Sequence, residues 1–436
     1  MGKYLKRPTA EDVRSKQIRD RVAEMLDRIQ SEREGAVREF SRELDGWDAE
    51  HPFVSEDEIR HAEMSLPGSL IEHIQVAQEQ VRNFAEHQRR CLLDLEIESQ
   101  PGIILGHRHV PVDSVGAYVP GGRYRLIATS FMTILVARTA GVTDVVAATP
   151  PMAGDQDDPA VLYAVSSSGA NRILRLGGVQ ALATMAFGLF GLDPVAMLVG
   201  PGNAYVAEAK RQLFGYVGID LVAGPTEILV VADEQADPEL VAIDLLGQAE
   251  HGLDSPAWVI ATSEEVGART IEAAERLLTD SWPNADIAGP AWRDHGLVYV
   301  AEDRQEAVDM ANELAAEHVE LQVAEDEFDW YEAQLRNYGS LFVGDEATVA
   351  YGDKGIGTNH VLPTARAARY TGGLWVGKFL KTLTYQRATE TGTKFIAPTI
   401  DAVATREGML GHALTARVRL DGREQALEAH RRSHNV

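Results

Sequence analysis

A single cysteine, Cys91, in 436 residues excludes a disulfide within one chain and is compatible with a reducing compartment. Positive charge is also scarce: 41 Lys and Arg stand against 66 Asp and Glu, and 41 − 66 leaves a net charge of −25. A field of that sign excludes nucleic acid and anionic membrane surfaces as default partners. It also disfavours an anionic substrate unless a local basic patch reverses it. Long apolar runs are missing as well. The most apolar stretch, Met132 to Gly154, is interrupted by Arg138 and Asp144, so no membrane span is expected. The opening MGKYLKRPTAEDVRSKQ turns charged at once and lacks the apolar core of a secretory signal, which leads to the expectation of a soluble, cytoplasmic protein. What is present is an ordinary globular composition, with length for about two to four domains.

Ile18, Val22, Met25, Leu26 and Ile29 form one helical stripe, Ser55 and Glu58 a capping box, and Leu70, Ile74, Val81 and Phe84 the apolar face of a third helix, so the opening reads as helical. After Pro101 short β-branched runs alternate with helix-length segments. Val145–Thr149, Ile173–Leu176, Ala196–Val199 and Ile228–Ala232 read as buried strands, and the alternation resumes from Trp258 to Val323. The expected fold is α/β: two Rossmann-like, doubly wound parallel-sheet domains with an N-terminal helical segment and a small C-terminal appendage. The boundaries expected are 1–45 for the helical segment, 46–117 with 227–376 for the first α/β domain, 118–226 for the second, NAD-binding one, and 377–436 for the appendage. Ligands of such sheets bind at strand C-terminal ends, which directs attention to the Gly-rich junctions.

Four segments carry candidate chemistry. Pro120-Gly-Gly122 is a tight turn, either purely structural or a place where a ligand nears the backbone; Arg123 and Arg125 follow it, and guanidinium forks suit carboxylate, phosphate or sulfonate oxygens. Gly200-Pro-Gly202-Asn203 joins a strand to a helix but lacks the third glycine of a dinucleotide fingerprint; Asp220, about twenty residues on, stands where a ribose-binding acid would. Asp237 as N-cap, Pro238 as first residue and Gly252 as stop delimit a helix that sets Gln248 and His251 three apart on one face. That pair is either a polar stripe or half of a metal site. Partners could come from the loop Tyr351–His360, which carries Asp353, and from the island Glu407–His412, and such a mixed N/O set suits zinc. The fourth segment sets Glu317 beside His318 at a helix-to-strand junction, a pair able to move protons near neutral pH.

Taken together these segments resemble the histidinol dehydrogenase family along nearly the whole chain: AYVPGG, GGVQALATMAFG, VGPGNAYVAEAK, LVAGPTEILVVAD, GQAEHGLDS, AEHVEL, GTNHVLPT and EG-x-x-x-H occur in one order. The resemblance implies a zinc enzyme that oxidises a primary alcohol to a carboxylate in two NAD-dependent steps through a bound aldehyde. It implies Gln248, His251, Asp353 and His412 as zinc ligands, Tyr118, Gln180 and Asn203 as NAD contacts, and Glu317 and His318 as the acid/base pair. It further implies a homodimer in which Glu407 and His412 complete the neighbouring copy's site. Histidinol is cationic, whereas Arg123 and Arg125 follow the glycine turn here and Lys378 and Lys381 follow His360. These departures resemble the sulfopropanediol dehydrogenase branch, whose substrate, 2,3-dihydroxypropane-1-sulfonate, is an anionic alcohol. Arg123, Arg125, Thr226, His360 and Glu407 are the expected substrate contacts. Histidinol oxidation, or a non-catalytic zinc- and dinucleotide-binding homologue, are the competing readings; retention of Glu317, His318 and all four implied ligands speaks against the latter.

Overall fold

The computed structural model describes residues 2–9, 15–48, 50–122, 124–151, 158–222 and 224–434. Arg123 therefore lies outside the described residues. The chain forms two compact units, Met1–Arg89 with Val112–Phe379, and Arg90–Pro111 with Leu380–Val436.

The first unit holds two parallel sheets. Six strands run in the order Lys3–Lys6, Leu297–Val300, Ala257–Ala261, Ile228–Ala232, His318–Gln322, Ser340–Val343, all parallel except the first. Five more run Arg172–Arg175, Asp144–Thr149, Ser114–Tyr118, Met197–Val199, Gly218–Ile219, all parallel. The strand Ile228–Ala232 shows why its sequence is continuously apolar. Ile228, Val230 and Ala232 pack with Val241 and Leu245 on one face, while Leu229 and Val231 pack with Val308 and Ala311 on the other. Both α/β domains expected from the alternation of strands and helices are thus present.

Three expectations are corrected. The opening is not wholly helical: Lys3–Lys6 pairs antiparallel with Leu297–Val300, an edge strand too short to show periodicity. The helix Ser15–Glu32 is no separate segment, because Val22, Met25, Leu26 and Ile29 are buried in the core of the five-stranded domain. At roughly 1.5–3 kcal/mol for each fully buried side chain, that stripe is a substantial part of the domain's hydrophobic stabilisation. Finally, a boundary at 117 cuts the strand Ser114–Tyr118, which belongs entirely to the five-stranded sheet.

The second unit is a three-stranded antiparallel sheet, Leu380–Ala388, Ile103–Pro111, Leu95–Gln100, with helices Glu390–Arg406, Leu410–Asp421 and Arg423–His434. The C-terminal appendage is thus joined by 90–111, a segment expected in the first α/β domain. No helix among the described residues is long and apolar enough to cross a membrane.

Candidate active site

The first unit contains a cleft of about 750 Å³. From the five-stranded sheet it receives strand C-terminal ends: Tyr118 closes one strand, and Pro150, Gly177 and the loop after Val199 follow three others. From the six-stranded sheet it receives the opposite ends. Thr226 precedes Ile228–Ala232, and His318 is the first residue of its strand. The usual rule for parallel sheets therefore holds for one wall and is reversed for the other.

This polarity sets the electrostatics. On the first wall the helices Gly178–Phe187 and Ala204–Leu213 begin at the cleft, and helix N-termini favour anionic groups such as a pyrophosphate. On the second, the helices Pro238–Ala249 and Val349–Lys354 run back along the sheet and end there, bringing negative helix ends and the residues His251, Asp353 and Lys354. The helix ends of the first wall favour an anion, and those of the second favour positive groups such as the Lys354 ammonium.

The anion-favouring wall is tightly specified. Gly200 has φ +116°, and a Cβ there would lie 2.2 Å from the Tyr118 carbonyl, so only glycine fits. The Gly178 N–H donates to the Tyr118 hydroxyl (3.0 Å). Asn203 caps its helix by accepting from the N–H groups of Tyr205 and Val206, which leaves its amide nitrogen for a ligand. Gln180 donates to Asp45 (2.8 Å), and its Oε1 is buried with no partner, an acceptor that fits a cofactor hydroxyl or amide. Asp45 has no motif of its own and was invisible in the sequence. Asp220 does not face the cleft: it accepts from the Gly200 and Leu221 N–H groups and pairs with Lys210 in the interior, so it braces the glycine loop rather than holding a ribose.

On the opposite wall, His318 is 1% exposed, and its Nδ1 donates to the Glu227 carbonyl (3.0 Å). That bond turns Nε2 toward Asp353 Oδ1 at 3.5 Å, with no well-formed hydrogen bond of its own. Glu317 Oε2 accepts from the Thr226 hydroxyl (2.5 Å) and the Glu227 N–H (3.0 Å). Burial pushes the Glu317 carboxyl up to about 7, with His318 and these donors opposing it. Burial also works against a charged His318, but Glu317 and Asp353 outweigh it and raise the imidazole to about 9. A raised value makes the neutral ring a stronger base and moves the pH at which it becomes available upward.

His251 lies just past its helix, with Nδ1 on the Gln248 carbonyl (3.1 Å) and Nε2 3.7 Å from Asp353 Oδ2. Burial holds this imidazole below its usual range. A carbonyl on one ring nitrogen and a carboxylate oxygen facing the other is the arrangement of a metal-binding histidine. Two ligands about 2.1 Å from one tetrahedral ion stand roughly 3.4 Å apart, so His251 and Asp353 fit a zinc ion. Gln248 stands behind them, 3% exposed, donating to Thr226 Oγ1 (2.6 Å) and not lining the cleft. His412 and Glu407 are exposed residues of the second unit. The expected four-ligand set is therefore met in the cleft by two donors, and no three His, Cys, Asp or Glu gather as a metal site among the described residues.

Of the expected substrate contacts, Thr226 and His360 line the cleft. His360 is held by the Asp353 carbonyl (2.9 Å) and the Thr129 hydroxyl (3.0 Å). Arg125 does not line it. Its backbone bridges back to Gly121 and its Nε stands 3.9 Å from the Asp158 carboxylate, which draws it into a side recess with Thr149 and Pro150.

Beneath His318 the same strand face carries Glu320 and Gln322. Glu320 accepts from the Val349 N–H (3.0 Å), the start of the helix that carries Asp353, and Gln322 donates to Asp244 (2.9 Å), which also accepts from Thr348 (3.1 Å). Burial, then Asp244, pushes the Glu320 carboxyl up to about 8. The stability that a neutral Glu320 contributes is complete below about 4.5, its ordinary value, and is lost as pH rises through about 8. Glu320→Gln, which cannot ionise, is expected to flatten the loss of unfolding midpoint between pH 5 and pH 8. Parallel wild-type and variant profiles would contradict this.

A sequence model described as histidinol dehydrogenase matches residues 8–420. The chain is 49% identical over 424 residues to a histidinol dehydrogenase homolog of Shouchella clausii, covering 96% of this chain and 99% of that one. It is 44% identical over 404 residues to a sulfopropanediol 3-dehydrogenase of Ruegeria pomeroyi, covering 92% of each. The crystal structure of histidinol dehydrogenase from Elizabethkingia anophelis superposes with TM-score 0.87 at 33% identity, over 95% of this chain and 94% of that one.

Proposed function

The chain belongs to the histidinol dehydrogenase family, oxidoreductases that act on CH–OH groups with NAD, and from that premise we propose that it oxidises the primary alcohol of 2,3-dihydroxypropane-1-sulfonate to the carboxylate of 3-sulfolactate. The observation that carries the substrate is the 44% identity, over 92% of both chains, to the protein named sulfopropanediol 3-dehydrogenase. The reaction runs through a bound aldehyde; Tyr118, Gln180 and Asn203, beside the helix N-termini, would hold NAD, which when bound supplies the hydride acceptor for each of the two steps. His251 and Asp353 would hold zinc, with Gln248 and His412 as further donors, and the ion when bound lowers the cost of negative charge on a substrate oxygen. A homodimer supplies Glu407 and His412 from the second copy.

The chain's own residues move the protons. His318, fixed at Nδ1 by the Glu227 carbonyl, takes the hydroxyl proton at Nε2 as hydride leaves the carbinol carbon. Glu317, its carboxyl raised toward neutrality by burial, takes a proton from water as the oxygen adds to the aldehyde carbon. The resulting hydrate gives up the second hydride and a further proton to become the carboxylate. Two NADH per alcohol consumed are expected, with activity lost on chelation and restored by zinc. One NADH with release of free aldehyde would contradict the two-step reading.

A further inference from the structure

Of the two arginines expected to meet the anionic end, Arg123 lies outside the described residues and Arg125 stands beside Asp158 in a side recess, not among the residues that line the cleft. A three-carbon substrate is short. Whatever meets its sulfonate must sit close to the residues that handle its alcohol.

Lys354 meets that condition. It is the last residue of the helix Val349–Lys354, adjoins Asp353, and lines the cleft with His251, His318 and His360. Its ammonium has no hydrogen bond or ion pair among the described residues. The other non-histidine cation of the lining, Arg21, is already engaged by Glu24 and Glu43 and stands on the Asp45 and Met25 side. Among the described residues of the lining, which also include the acids Asp45, Asp254, Glu317 and Asp353, Lys354 is the one lysine or arginine without a hydrogen bond or ion pair. An ammonium with three donors on a flexible stem suits a sulfonate, whose three oxygens are equivalent and ionised at every physiological pH.

We propose that Lys354 is the specificity residue that binds the anionic end of the substrate, while His318 faces its alcohol end. The inference rests on the sulfonate reading above. A cation there would also repel histidinol, so one side chain both attracts the one substrate and disfavours the other.

The test uses the full-length zinc-loaded enzyme with Lys354→Met and Lys354→Arg. Lys354→Met is expected to raise KM for 2,3-dihydroxypropane-1-sulfonate about 10- to 100-fold, the worth of one charge-assisted contact, with a much smaller effect on kcat. Lys354→Arg is expected to recover most of the loss, and added salt to raise KM in the wild type more than in Lys354→Met. Equilibrium NAD binding should be the same in all three. An unchanged KM in Lys354→Met, or a matching loss of NAD affinity that assigns the lysine to the cofactor, overturns the inference alone. A wild type that does not oxidise the sulfonate overturns the substrate reading, and the inference with it.

Discussion

Replacing His318 with Asn is expected to slow alcohol oxidation about 10²- to 10⁴-fold, the usual worth of a positioned general base, with fold and zinc content unchanged. The substitution is chosen for what it retains. His318 Nδ1 donates to the Glu227 carbonyl, and an asparagine amide can make the same bond. What disappears is Nε2, the nitrogen that faces Asp353 and has no hydrogen-bond partner of its own. The residue is buried and packs near Phe342, with ring centroids 6.0 Å apart, so some loss of stability will accompany the change. The discriminating readout is therefore single-turnover NADH formation on protein of verified zinc content. A rate within about tenfold of wild type would remove His318 from proton transfer.

Glu317→Gln is expected to split the reaction in two. The carboxylate accepts from Thr226 and from the Glu227 N–H, and the glutamine carbonyl can accept from the same donors, so the local architecture survives. The capacity to take a proton from water does not. First hydride transfer should persist, and the second should fall by about 10²- to 10⁴-fold. NADH formation then stops at one equivalent per alcohol, and the aldehyde becomes trappable with semicarbazide. Two equivalents at the wild-type rate would transfer water activation to another group. Glu227 is the candidate: it is buried beside the pair, has one unpartnered oxygen, and burial pushes its carboxyl up to about 7.

Local chemistry written in consecutive residues was legible in the sequence. Asp237 and Pro238 marked a helix start that the structure reproduces, and the strand Ile228–Ala232 was read to the residue. Three-dimensional choices were not legible. Asp220 at fingerprint spacing gave no sign that Lys210, one helix earlier, would claim its charge. Arg125 followed a glycine turn at the cleft, but the turn bends back on Gly121 and a helix-capping carboxylate takes the guanidinium. Lys354 lies within the loop Tyr351–His360 with no motif of its own, because its importance depends on which end of the sheet its helix returns to. That reversal of one wall was also hidden, since the two sheets present opposite strand ends to one cleft and no short motif encodes the relation between sheets. The charge reading follows the same pattern. The excess of −25 describes the chain at large, while among the described residues of the cleft Lys354 is a cation without an ion pair.

The central claim is that this cleft oxidises an anionic alcohol. It is tested most directly by kcat/KM for 2,3-dihydroxypropane-1-sulfonate and for L-histidinol, measured on the same zinc-loaded protein at saturating NAD. The account predicts turnover of the sulfonate, with a kcat/KM at least about 100-fold above that for histidinol, the combined effect of one charge pair gained and one like-charge approach avoided. Turnover of histidinol with none of the sulfonate would contradict it.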